Sequence, residues 1–169
     1  MNNESETQNE YLFNSPLEVA LRLLVLISKT NLNNFDLDRL VIFDYFILHG
    51  NDIDIQQESL HPALPHRSSE IIVKRRLVRE GINILLSRGL VSQILHNEGI
   101  YYSANNNTKL FVDLLESNYY RKLTSVIETI LSKYGNVSTS MLNSLVNENI
   151  HIWGGEFEYE ALVRSNYEK

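Results

Sequence analysis

The segment from Leu37 to Gly50, LDRLVIFDYFILHG, is apolar around almost its whole circumference when wound as a helix. A helix of that kind has no face to give to water and has to lie at the centre of a domain. Asp36 stands at its N-cap position and Gly50 at its stop. Asp44 falls in its middle, and a carboxylate buried there persists only if a cation comes to meet it. Arg39, Arg75 and Arg76 are the candidate partners, and the expected structural ion pair is Asp44 with Arg75. The fold must therefore wrap at least two other elements around this helix.

Those elements are legible on either side. Ser15-Pro16-Leu17-Glu18 has the form of a capping box, with proline at the first helical position and glutamate three residues beyond the serine. Val19, Ala20, Leu23, Leu24, Leu26 and Ile27 then form a broad apolar face, ending near Thr30 before an asparagine-rich turn. On the far side, a proline-bearing loop from Asn51 to Arg67 leads to Ser68 or Ser69 as the cap of a third helix that stops at Gly89. At 100° per residue, Ile71, Val78, Ile82, Leu85 and Leu86 share one face of it, and Val73, Leu77 and Ile84 form a second stripe. This helix is expected between two layers, with Arg75 turned inward and only Arg76, Arg79, Glu80, Asn83 and Ser87 exposed.

After Gly89 the apolar period changes to that of extended chain. LVSQIL and IYYSA flank His96-Asn97-Glu98-Gly99, a β-hairpin pattern with glycine at the turn. Three helices followed by a hairpin is the order of a winged-helix domain. Thr108, Asn118 and Ser138 begin further helices. The fold class expected is mainly α with a small β-hairpin, a winged-helix-like core plus C-terminal helices and an extended tail. The divisions are a flexible N-terminal tail over 1–14, the winged-helix-like domain over 15–104, a C-terminal helical part over 105–146 and a partner-docking tail over 147–169. In that tail Trp153, Phe157 and Tyr159 lie among acidic residues and two glycines, a composition suited to docking.

Charge is unevenly spread. Between Ser59 and Leu90 six cations face two carboxylates, so that segment carries +4 and the rest of a chain totalling −6 carries −10. Arg76 and Arg79 are thus possible DNA-binding residues, in the position where a winged helix reads a duplex. The helical projection narrows that surface, and Arg76 with Glu80 has the spacing of an ordinary surface ion pair. The absence of cysteine removes disulfides and thiol nucleophiles and fits a reducing cytoplasm. No apolar run reaches the ~20 residues of a membrane span, and the polar, acidic start lacks the order of a signal peptide.

Reactive constellations are sparse. His49, Asp52, Asp54, His61 and His66 are metal-ligating types near one another, but their spacing matches no metal motif. No nucleophile elbow or phosphate loop is present, because Gly154-Gly155 lacks a following lysine and hydroxyl residue. The expectation is a chain without catalytic residues, metal or cofactor.

One family fits the pattern. Asp44-Tyr45 with His49, then Ser59-Leu60-His61-Pro62, Pro65, Arg67, Glu70, Arg75-Arg76, Glu80-Gly81 and Leu85 to Leu90, resemble the middle component of bacterial ABC-three-component systems, including Lamassu-type antiphage defence. Gly99-Ile100-Tyr101-Tyr102, Phe111, Leu115, Tyr119, Trp153 and Glu156-Phe157 extend the resemblance. It implies a non-catalytic accessory subunit that bridges the heads of an SMC-like ABC ATPase dimer and an effector, commonly a nuclease. The partner-binding residues it points to are His61, Pro62, Pro65, Arg67, Trp153 and Phe157. DNA would then be met mainly through the complex. A winged-helix DNA-binding regulator is the alternative.

Overall fold

The computed structural model describes residues 15–30, 35–53 and 67–153. In chain order these form α1 (Pro16–Ser28), α2 (Leu37–Leu48), the single turn α3 (Gly50–Ile53), α4 (Arg67–Ser87), β1 (Val91–His96), β2 (Gly99–Ala104), α5 (Asn106–Val112), α6 (Asn118–Tyr134) and α7 (Thr139–Trp153). The protein is mainly α with one small antiparallel hairpin. The expected N-terminal tail over 1–14, most of the proline loop, and residues 154–169 lie outside the described residues.

The capping box forms as the sequence requires. The Ser15 hydroxyl accepts the Glu18 N–H at 3.3 Å, and the Glu18 carboxylate accepts the Ser15 N–H at 3.0 Å. Asp36 likewise accepts the Arg39 N–H at 2.7 Å to start α2. Every residue of α2 from Arg39 to Leu48 is buried, which makes it the central helix. Around it pack α1, α4, α6 and α7. Among the described residues, no helix is long and apolar enough to cross a membrane.

Two glycines matter here for different reasons. At Gly81 a Cβ would lie 3.0 Å from the Ala20 nitrogen, 3.2 Å from Val19 Cγ1 and 3.3 Å from the Pro16 carbonyl, so α4 crosses α1 closely at that point. At Gly89 φ is +64°, the left-handed conformation that ends α4. The Gly89 N–H bonds to the Leu86 carbonyl and the Leu90 N–H to the Leu85 carbonyl, the paired reverse bonds of a Schellman stop.

The hairpin pairs Val91 with Ala104 through His96 with Gly99, with Asn97-Glu98 at the turn. Its base is stitched to α5. Asn105 caps that helix and donates to the Gly89 carbonyl at 3.2 Å, while the buried Thr108 hydroxyl donates to the Leu90 carbonyl. The helix therefore begins at Asn106, earlier than the expected start at Thr108. Phe35, between α1 and α2, forms an antiparallel bridge to Tyr102, whose N–H donates to the Phe35 carbonyl at 2.8 Å.

Candidate functional site: the charged core and the outward face

Asp44 is fully buried and paired, as a carboxylate in that position must be, but its partners differ from the expected one. Arg22 on α1 grips it in two-point fashion, Nε to Oδ1 at 2.7 Å and an outer nitrogen to Oδ2 at 3.2 Å. Lys74 on α4 reaches the same Oδ2 at 3.5 Å. Three helices are thus tied at one carboxylate, with all three side chains almost inaccessible to water. The Arg22 guanidinium also interacts with the phenol oxygen of Tyr119, in the first turn of α6. Burial pushes the Asp44 carboxyl up, and Arg22 with Lys74 more than reverses this, holding it below the usual carboxylate range. Burial pulls the Arg22 guanidinium down, and Asp44 and Tyr119 outweigh it, leaving it above its ordinary value.

Arg75, the expected partner, instead faces outward, with its side chain 49% exposed and paired to Asp38. The step of 100° between Lys74 and Arg75 turns the lysine toward the core and the arginine away from it. Arg76 and Arg79 are exposed, and Arg76 meets Glu80 at 3.7 Å. The rest of the expected outer strip, Asn83 and Ser87, is exposed too, while Val78, Ile82 and Leu85 are buried. Arg79 lies near Tyr102, whose phenol is raised by burial and eased down by that guanidinium.

Arg39, offered above as a possible partner of Asp44, performs a different task. Its guanidinium donates to the Val137 and Gly135 carbonyls, each at 2.6 Å, and lies 5.1 Å from the Phe43 ring centroid. A cation is thereby set against the carbonyl end of α6, where the helix dipole is negative and backbone acceptors lack intrahelical donors. Burial lowers its pKa, with Asp36 opposing the shift.

Only part of the candidate metal set falls among the described residues. His49 is buried at the end of α2 with its ring 4.6 Å from that of Tyr45, and Asp54, His61 and His66 lie outside the described residues. Among the described residues, no group of three or more ligating side chains could hold a metal ion. Of the expected partner-binding residues, His61, Pro62, Pro65 and Phe157 also lie outside the described residues. Arg67 opens α4 and Trp153 closes α7, with helical backbone at both positions. Residues 147–153, read above as the start of the tail, therefore continue a helix.

Several apolar side chains are exposed on the outside of the described body. Leu95 and Ile100, directly opposite each other on the hairpin, are 77% and 45% exposed. Leu110 and Leu114 on and just after α5, Leu17 on α1 and Met141 on α7 are also exposed. Alternation in LVSQIL marks which hairpin residues share a face, but only the placement of the helices decides that this face is left open.

The described residues thus define a mainly α body whose buried charges bind its helices together, with apolar side chains displayed on its outside. The chain belongs to the ABC-three component (ABC-3C) system Middle Component 2 family, whose model matches residues 12–156. No curated protein and no solved structure matches it.

Proposed function

We propose that this protein is the non-catalytic accessory subunit of an antiphage or anti-plasmid defence complex, bridging an SMC-like ABC ATPase and an effector nuclease, as in Lamassu-type systems. Family membership over residues 12–156 carries this reading. On this reading the ATPase and cutting activities belong to the partner subunits and the complex works in the cytoplasm. The apolar side chains exposed on the hairpin and around α5 support a body that is covered in an assembly. His61, Pro62, Pro65, Arg67, Trp153 and Phe157 are the proposed partner contacts, with 147–169 as the docking segment. Co-expression with the neighbouring components tests it: the chain is expected to co-purify with a large coiled-coil ATPase, and a monomer that ignores those components would overturn the reading.

A winged-helix-like DNA-binding role is the second reading. The Phe35 to Tyr102 bridge supports it, because it ties the segment between the first two helices to the hairpin's second strand. Arg76 and Arg79 would make the phosphate contacts. If duplex affinity in low salt is unchanged when both are alanine, that role loses its residues.

A further inference from the structure

We infer that the outer edge of β1 is a strand-addition site, taking an extended, uncharged segment with alternating apolar side chains from another component of the same three-component system. The inference rests on the accessory-subunit reading for the source of the strand, and on hairpin geometry for the site.

In an antiparallel pair, successive residues alternate between bonding across the ladder and pointing away from it. The Tyr102 N–H points away from β1, because it donates to Phe35 on the other side. Gln93, directly opposite Tyr102, therefore lies in a pair that does not bond across the hairpin. Its own N–H and carbonyl point outward, as do those of Val91 and Leu95 at the same phase. The outer edge of β2 is closed by Phe35, whereas β1 has no further strand beside it among the described residues. Those directional backbone groups, open to water at the exposed Gln93 and Leu95, are spaced to be met together by a second extended chain.

The residue types point the same way. Edge strands that must stay unpaired carry lysine, glutamate, proline or a bulge. β1 reads VSQILH, with none of these residues and a regular register. Beside the open edge, exposed Leu95 and Ile100 form an apolar cross-strand pair that an added strand would extend with an apolar side chain of its own. With no charge on β1, complementarity favours an uncharged strand over an acidic or basic one.

The test is amide-resolved hydrogen exchange on the full chain alone and in the complex recovered by co-expression with the ATPase and effector components. In the free chain the Gln93 and Leu95 amides are expected to exchange fast. In the complex they should slow by about tenfold or more, the scale of a formed backbone hydrogen bond, while Tyr102 is protected in both. Gln93→Pro, which removes the outward donor, and Leu95→Lys, which restores an edge charge on an exposed side chain, should each lower partner recovery by about tenfold with an unchanged unfolding midpoint. Leu95→Lys keeps the test standing if proline disturbs the hairpin. Amides equally fast in the complex, or both variants recovering partner as the wild type does, would overturn the inference. Protection already present in the free chain would overturn it too, since a second copy or another segment of this chain would then hold the edge. If the wild-type chain recovers no component, both this inference and the accessory-subunit reading fall. If it does so while the edge is indifferent, only the strand-addition site falls.

Discussion

Replacing Asp44 with asparagine should be among the most damaging single changes in this protein. The side chain keeps its shape but loses the charge that two buried cations share, and its NH2 group is set against Arg22 or Lys74, which are themselves donors. Breaking a buried ion pair by removing one partner costs about 3–5 kcal/mol. With a urea m-value of about 2 kcal/mol/M, the unfolding midpoint should drop by roughly 2 M. Arg22→Met should cost less, about 2–3 kcal/mol, because Lys74 stays within 3.5 Å of the carboxylate and the pair remains balanced in charge. Changing all three residues to methionine removes the desolvated charges together and should recover most of the loss, since apolar replacement of a buried ionic cluster is often neutral or better. Urea unfolding followed by circular dichroism of the wild type and the three variants gives the ranking. An asparagine variant within about 1 kcal/mol of wild type, or an Arg22→Met variant that is the more damaged of the two, would refute the claim that one carboxylate ties three helices.

Further outcomes follow from the same geometry. Gly81→Ala should destabilise by about 1–2 kcal/mol despite its better helix propensity, because the added Cβ meets the α1 backbone at 3.0 Å; thermal unfolding reads this out. Arg39→Met removes two short bonds to the carbonyls after α6 and should cost about 2–3 kcal/mol, with the earliest loss of amide protection in the last turn of that helix. Asp44 is held below the usual carboxylate range, so its contribution is complete above the unfolded value of about 3.9 and is lost as pH falls through the lower folded value. Acid unfolding should therefore steepen below about pH 4 in the wild type and flatten in the triple methionine variant. At the alkaline end, Tyr119 and Tyr102 are raised above their ordinary value, so stability should decline as pH rises past about 10.

Three helix boundaries were legible because each is written in adjacent residues. Ser15 with Glu18, Asp36 before α2, and Gly89 after α4 all act within one turn, and the change of apolar period after Gly89 marked the hairpin. Asp44 was legible as a paired residue for the same kind of reason, being a lone carboxylate in an apolar helix. Its partners were misread, although the signals existed: Arg22 interrupts the apolar run of α1, and Lys74 lies four residues before Val78 on the buried face of α4. Counting arginines favoured Arg75 over this phase relation. The Arg39 contacts had no local signal, since Gly135 and Val137 stand almost a hundred residues away in sequence. The end of α7 was misread because Asn147, Glu148 and Asn149 look like a loop, whereas in the helix the Asn149 side chain donates to the Leu145 carbonyl at 2.8 Å. The open edge of β1 was hidden for a related reason, because it depends on the long-range bridge from Phe35 to Tyr102 and on where the helices stop covering the hairpin.

The most direct test of the accessory-subunit account is size-exclusion chromatography with mass measurement on this chain co-expressed with its proposed ATPase and effector partners. The account predicts one stable assembly containing all three, from which omission of this chain releases the effector from the ATPase. A complex of ATPase and effector that forms equally well without it, with this chain eluting alone, would contradict the account.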